Sequence, residues 1–517
     1  MVEISPLISE SYSAYLILTD WITTRPEDVS LRAELGPNIP LQYPYMTARM
    51  QSVVGPEMVV AAGRHGICSM FSRNHRDEEK QRILDANRKA RLRQGDIQFQ
   101  DKPVSIAPEG TLEDVVKICE RVGHSVIPVM DRKSFLHGVY IYQPEKLRVL
   151  PPWTPVTDVM TPLRNGDINN GIPFLVNVED EREIKRVLEG DKRSFIPIID
   201  QNGILHRLAF LQKYDTNFIG TAISTKDEGW KKDLEKWGSQ VDTLCIDSSN
   251  ACFPDAIRIL KYVKDSREFK DKPFGIGNII RGKHFTEFAE AGADYIIGGM
   301  GVGSICQTGS PETGRGNGRG QMTVARELAD ARDEFAKRPK GRYVYLILDG
   351  SLETVHSIEV ALTHGDLLMM GNYFNRFFEA AGQKFNRDEK PTTEETQFDS
   401  VESWGEGHPR AGLVSMYGMD WRRQLSNNSP QPDKSLERYG YSSVAGATVE
   451  GVVTLVPYRG RLKPCLERDG RSIRATISNT GASDLKSYRE MAVLEKMDAG
   501  TLKDMLPHGY KKILEMK

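Results

Sequence analysis

Residues 291–321 read AGADYIIGGMGVGSICQTGSPETGRGNGRGQ. The stretch opens with a helix-ending Ala291-Gly292-Ala293-Asp294. An apolar run follows, Tyr295-Ile296-Ile297, and breaks at Gly298-Gly299. Helix, glycine, short apolar strand is how an α/β unit turns, because glycine takes the left-handed position past a helix C-terminus. The glycines after the strand let backbone approach a ligand closely. They lead to a single thiol, Cys306, with the hydroxyl of Thr308 two residues on. A cysteine is a strong nucleophile as its thiolate, although an isolated free cysteine is more often a small buried hydrophobe.

The same rhythm recurs outward from this unit. Apolar runs stand at Thr243–Ile246, Phe274–Gly277, Tyr343–Leu348 and Leu367–Met370, separated by helical stretches such as Phe285–Ala291 and Leu352–Thr363. Thr363-His364-Gly365-Asp366 repeats the helix ending at 291–294. Upstream lie the extended segment Ile39–Tyr45, a helical pattern over Pro56–Arg64 and the apolar run Ile67–Phe71. Alternating strands and helices predict a parallel sheet covered by helices. No GxGxxG opens the first turn, so a closed (β/α)8 TIM barrel is favoured over a dinucleotide-binding open sheet. The residues just past each run support one shared site: Asp247-Ser248-Ser249, Asn278, Gly298-Gly299, Asp349-Gly350 and Gly371-Asn372. In a barrel these C-terminal ends converge on one face, where active sites are built.

Between about 97 and 215 the texture changes. Two copies of one unit are legible, each a strand, a helix and an apolar-Pro-apolar strand closed by Asp. They include Val126-Ile127-Pro128-Val129-Met130-Asp131 and Phe195-Ile196-Pro197-Ile198-Ile199-Asp200. This predicts an inserted domain splitting the barrel into 1–96 and 216–517. Residues 380–450 break the rhythm with polar turn formers, which predicts either disorder or a mobile flap.

Composition narrows the class. Basic and acidic residues balance at 69 and 71, giving a net charge of −2, so neither nucleic acid nor a membrane surface is an expected partner. The Arg-Gly tract at 314–320 is too short to alter that. Six scattered cysteines without a C-x-x-C pair point to a reducing, cytoplasmic setting. Neither a secretory leader nor an 18-residue apolar run is evident.

The motif Gly299-Met300-Gly301-Val302-Gly303-Ser304-Ile305-Cys306-Gln307-Thr308 resembles the catalytic loop of the IMP dehydrogenase and GMP reductase family. Asp247-Ser248-Ser249, Gly277-Asn278, Asp349-Gly350, Met370-Gly371 and Val456-Pro457-Tyr458 fall in the family's order. The 97–215 repeat resembles a tandem CBS pair, which implies a regulatory module taking adenine or guanine nucleotides.

Within the family the chain looks more like the dehydrogenases. That resemblance implies NAD+-dependent oxidation of IMP to XMP: Cys306 adds to C2 of the purine, hydride leaves, and water hydrolyses the thioimidate. It implies catalytic roles for Cys306, Thr308 and an Arg438-Tyr439 pair on the flap. Met50, Ser304, Asp349, Gly350, Ser351, Gly371, Asn372 and Glu406 would hold substrate. Asp247, Ser248, Ser249, Asn278, Gly299 and Gly301 would face the dinucleotide. Carbonyls of Gly301, Gly303 and Cys306 would bind potassium, and the assembly would be a homotetramer or larger.

Three positions depart from the dehydrogenase pattern. Ile297 stands where a basic residue near the nicotinamide is usual, Ser351 replaces a glycine, and Ser403 replaces a phosphate-binding tyrosine. Two alternatives therefore stay open: a GMP reductase converting GMP to IMP with NADPH, which needs no hydrolytic flap, and a non-catalytic nucleotide-binding paralogue.

Overall fold

The computed structural model describes residues 8–36, 38–122, 125–142, 149–164, 171–191, 193–225, 228–306, 308–310, 316–417, 451–498, 500, 501 and 505. The chain divides into two compact units. One comprises Met1–Ala90, Asn217–Leu462 and Glu467–Lys517; the other comprises Arg91–Thr216 with Lys463–Leu466.

The first unit is built on eight parallel strands: β1 (Tyr45–Thr47), β2 (Ser69–Phe71), β3 (Ile219–Ile223), β4 (Thr243–Asp247), β5 (Phe274–Ile279), β6 (Tyr295–Gly298), β7 (Tyr345–Asp349) and β8 (Leu367–Met370). Each pairs with the next from β2 round to β8, and β8 pairs with β1. A parallel bridge between Met46 and Cys68 closes the ring, with Thr47 N–H donating to Cys68 O at 3.1 Å. The sheet is the expected TIM barrel. Its interior is filled by Met46, Ala48, Cys68, Met70, Ala222, Cys245, Tyr295, Ile297, Ile347 and Met369, all buried. Strands buried on both faces read as apolar runs rather than alternations, which is why most were visible in the sequence. β3 was not singled out there: Gly220 and Thr221 interrupt its apolar run, yet all five residues are buried.

The intervening helices start and stop for local reasons. Helix α1 (Pro56–Arg64) has Pro at its first position, Glu57 in its first turn and Arg64 in its last, all matching the helix dipole. It ends at Gly66, whose φ is +66°. Helices α2 (Asp77–Ala90), α3 (Gly229–Trp237), α4 (Ala256–Asp265), α5 (Gly282–Glu290) and α6 (Gln321–Ala336) follow β2 to β6. Helix α7 (Val355–Leu362) carries a capping box between Thr354 and Ser357.

Residues 380–417 are not structureless, contrary to one side of the expectation for 380–450. Lys384–Phe385, Ser400–Trp404 and Val453–Pro457 form an antiparallel sheet, and Pro409–Tyr417 is helical. The middle strand is hard to read because Ser400, Glu402 and Ser403 are polar although buried. Glu402 accepts from buried Arg410 at 2.8 Å, and that guanidinium lies 4.9 Å from the Trp404 ring centroid. A paired, hydrogen-bonded charge is what makes such burial tolerable. The rest of the expected flap, residues 418–450, lies outside the described residues.

The second unit contains two related halves. Val129 pairs in parallel with Ile106, and Ile198 pairs in parallel with Leu175, so both partners recur at an offset of 69 (129 to 198, 106 to 175). Phe135 bridges Ile204, its own equivalent at that offset. Leu136 N–H donates to Gly203 O, and Leu205 N–H donates to Ser134 O. Equivalent residues therefore meet across a local two-fold axis. Asp131 and Asp200 cap equivalent turns, each accepting two backbone N–H groups.

Candidate active site

The C-terminal ends of the barrel strands, with residues 403–407, enclose a cavity of about 510 Å³. Every described residue to which the sequence assigned a role lines it. These are Met50, Asp247, Ser248, Ser249, Asn278, Gly299, Gly301, Gly303, Ser304, Cys306, Thr308, Asp349, Gly350, Ser351, Gly371, Asn372 and Glu406. Arg438 and Tyr439 fall outside the described residues. Ser403 lines the cavity as well.

The loop after β6 is shaped by close backbone contacts. Gly299 has φ +142°, and a Cβ there would lie 2.0 Å from Asp349 O. Gly301 has φ +80°, and a Cβ there would lie 2.7 Å from Asn317 O. Only glycine combines those φ values with such approach. Cys306 N–H donates to Gly303 O at 2.9 Å, closing a turn that lifts the half-exposed thiol into the cavity. The thiol donates to Thr308 Oγ1 at 3.4 Å, and Thr308 is itself buried. A thiol able to act as a nucleophile and a hydroxyl able to relay its proton are thus in contact.

Across the cavity, Glu406 is held by three donors. Gln51 N–H reaches Oε1 at 2.7 Å; Ser72 Oγ at 2.5 Å and Asn74 Nδ2 at 2.7 Å reach Oε2. Burial raises the Glu406 pKa, with these hydrogen bonds opposing. The loop bearing it is stitched to the cysteine loop, since Gly405 N–H donates to Val452 O and Val452 N–H to Ile305 O, both at 3.2 Å.

The floor is organised by Arg49. Its Nη2 lies 3.0 Å from Asn278 Oδ1, 3.2 Å from Asp247 Oδ1 and 3.6 Å from Asp349 Oδ2; its Nη1 lies 3.7 Å from Cys245 Sγ. Burial works against the charge, but Asp247, Cys245 and Asp349 outweigh it, so the Arg49 pKa is raised. Burial raises the Asp349 pKa, and Arg49 and Asn278 act to lower it. Ile297 is apolar and fully buried in the barrel interior.

Arg49, Gln51, Ser72 and Asn74 were not singled out in the sequence. All sit just past the ends of β1 and β2, so the strand-end signal that marked Asp247 and Asn278 applied to them too. The potassium expectation rests on Gly301, Gly303 and Cys306, whose carbonyls belong to one tight loop. Neutral carbonyl oxygens suit a hard cation. Among the described residues, no group of three His, Cys, Asp or Glu is placed to hold a metal ion.

The family described as IMP dehydrogenase / GMP reductase domain matches residues 9–508. The chain is 28% identical to inosine-5'-monophosphate dehydrogenase of Tritrichomonas foetus over 516 residues, covering 93% of this chain and 92% of that one. It is 25% identical to the enzyme of the same name from Schizosaccharomyces pombe, covering 93% and 87%. In fold it is similar to a variant of GMP reductase from Trypanosoma brucei solved with guanosine 5'-monophosphate. That match has a TM-score of 0.62 at 21% identity and covers 98% of this chain and 99% of the other. A match across almost the whole chain, on a barrel whose strand ends gather a loop cysteine with Asp247, Asn278, Asp349 and Glu406, identifies the protein as an oxidoreductase belonging to the IMP dehydrogenase / GMP reductase family.

Proposed function

We propose that the protein oxidises IMP to XMP with NAD+ as hydride acceptor. The observation that carries this reading is the Cys306–Thr308 contact facing Glu406 across one cavity large enough for a nucleotide. The relatives named as dehydrogenases support it.

Cys306 Sγ bonds to C2 of the hypoxanthine after losing its proton, with Thr308 Oγ1 placed to take part in that transfer. Bound NAD+ would accept the hydride that leaves C2 as the C2–H bond breaks. The resulting thioimidate is attacked by water at C2, the C–S bond breaks, and XMP leaves as the thiol is restored. Glu406 faces the base edge, with Met50 packing against the ring. Asp349 accepts from the ribose hydroxyls. Ser304, Gly350, Ser351, Gly371 and Asn372 surround the phosphate, and Asn372 Oδ1, buried with no hydrogen-bond partner among the described residues, is placed to accept at that end. Asp247, Ser248, Ser249, Asn278, Gly299 and Gly301 line the dinucleotide side. A monovalent cation such as potassium, held by the Gly301, Gly303 and Cys306 carbonyls, would brace the cysteine loop. Arg438-Tyr439 is the proposed water-activating pair. The two-fold related halves of the second unit support reading it as a CBS pair that takes adenine or guanine nucleotides.

A GMP reductase is the second reading, favoured by the fold likeness to the Trypanosoma brucei enzyme. Purified protein is assayed with IMP, NAD+ and potassium, and separately with GMP and NADPH. XMP and reduced nicotinamide formed by the wild type and abolished in Cys306→Ala support the dehydrogenase. Ammonia released from GMP overturns it in favour of the reductase. Nucleotide binding with neither activity leaves a non-catalytic paralogue.

A further inference from the structure

We infer that Arg49 is the positioning residue of this site: one buried guanidinium anchors the Asn278 amide oxygen, bridges Asp247 and Asp349, and so braces the start of the cysteine loop. The inference rests on the cavity being the nucleotide site, not on the direction of the reaction.

Arg49 lies immediately past β1, and its side chain is 6% exposed, while Asp247 and Asp349 keep about a quarter of theirs open to the cavity. Burying a guanidinium is costly unless its partners are in place. Here the partners come from three strands distant in sequence, Cys245 and Asp247 on β4, Asn278 on β5 and Asp349 on β7. The planar guanidinium divides these partners between its two terminal nitrogens, Nη1 toward Cys245 and Nη2 toward the three oxygens, whereas a lysine ammonium is one point charge.

The consequence runs through Asn278. Its Oδ1 accepts from Arg49, which leaves Nδ2 to donate to Gly299 O at 2.9 Å and to Asp349 Oδ2 at 3.0 Å. Turning the amide over would aim N–H groups at the guanidinium and oxygen at two other oxygens, so Arg49 fixes the orientation together with Gly299 O and Asp349. Gly299 O is the first carbonyl of the loop that carries Cys306. Without Arg49 the amide oxygen loses its charged donor, and two carboxylates share the space with no cation between them, which favours protonation of one.

The barrel register supplies an independent test. Asp247 aligns with Gly277, and Gly277 aligns with Ile297. Gly277 has no side chain, and a Cβ there would lie 2.5 Å from Ile297 Cβ. An arginine at 297 would therefore project into the barrel at the level of Asp247.

The experiment compares wild type, Arg49→Met, Arg49→Lys and the double variant Arg49→Met/Ile297→Arg. Each is assayed with IMP and NAD+ and with GMP and NADPH, and read in whichever direction the wild type turns over. A reductase result would overturn the proposed oxidation while leaving this comparison intact. Arg49→Met is expected to lose at least 100-fold in kcat/KM, with KM raised for both nucleotides as well as kcat lowered. Arg49→Lys should recover part of that, and Ile297→Arg at least tenfold of it. A Met variant within threefold of wild type overturns the inference. So does an equal loss in all three variants at unchanged thermal midpoint, because the guanidinium would then have no special place. If Arg49→Met fails to fold, Arg49→Lys decides: wild-type activity overturns the inference, and a tenfold or greater loss at unchanged midpoint supports it.

Discussion

Replacing Glu406 by Gln changes one oxygen into an NH2 group at a position where Gln51, Ser72 and Asn74 all donate to the carboxylate. If the NH2 takes the place of Oε1 it meets Gln51 N–H, 2.7 Å away; if it takes the place of Oε2 it meets Asn74 Nδ2, also 2.7 Å away. Ser72 can turn its hydroxyl to accept, but that relieves neither Gln51 N–H nor Asn74 Nδ2. At least one N–H then loses its acceptor in a buried setting, which costs about 1–3 kcal/mol. The charge-assisted character of the remaining bonds is lost as well. Burial raises the pKa of Glu406, so neutralising it returns part of this. A net loss of about 2 kcal/mol in holding residues 405–407 is the expected balance, worth roughly 30-fold in rate. Those residues are tied through Val452 to Ile305, next to the nucleophile, so their displacement reaches Cys306. Loss of the carboxylate facing the base should add about tenfold or more. Steady-state kcat/KM for IMP should thus fall by roughly 10²–10³. A Gln variant within threefold of wild type would refute both the donor count and the role across the cavity.

Two further predictions concern the frame around the site. Glu359 on α7 is buried, and burial pushes its pKa up to about 7, with the Thr476 hydroxyl opposing. Between the unfolded value of 4.5 and about 7 the folded chain keeps a proton that the unfolded chain has released, so this group makes stability fall as pH rises through that window and then level off. Glu359→Gln keeps an oxygen for Thr476 and removes the slope; denaturant melts at pH 4 and pH 8 should show it gaining about 3 kcal/mol on wild type at the higher pH, and parallel curves would contradict this. Gly299→Ala places a methyl 2.0 Å from Asp349 O at φ +142°, so the β6 exit must move; turnover should drop at least about 100-fold, and near-normal kcat/KM would show that the loop geometry is not required.

The barrel was legible because a strand buried on both faces has to be apolar, and five such runs with helices between them leave few alternatives. Cys306 became legible as a candidate nucleophile for a related reason: the residues after those runs span more than a hundred positions but converge in a closed sheet. The signal weakened where strands are short. β1 and β2 have three residues each, so their ends were not marked as firmly as Asp247 or Asn278, and Arg49, Ser72 and Asn74 went unassigned. Ser400–Trp404 failed the pattern differently. Its burial depends on an ion pair between Glu402 and Arg410, eight residues apart, and hydropathy cannot register a partner. The unread residues share one property: what stabilises each is a specific partner rather than its own apolarity. Arg49 is the extreme case, since its place is intelligible only once Cys245, Asp247, Asn278 and Asp349 are seen to meet it. A basic residue is absent at 297, yet the barrel floor still holds a cation, delivered from β1 instead of β6. A departure judged at one strand end therefore has to be weighed against what all eight strand ends bring to the same space.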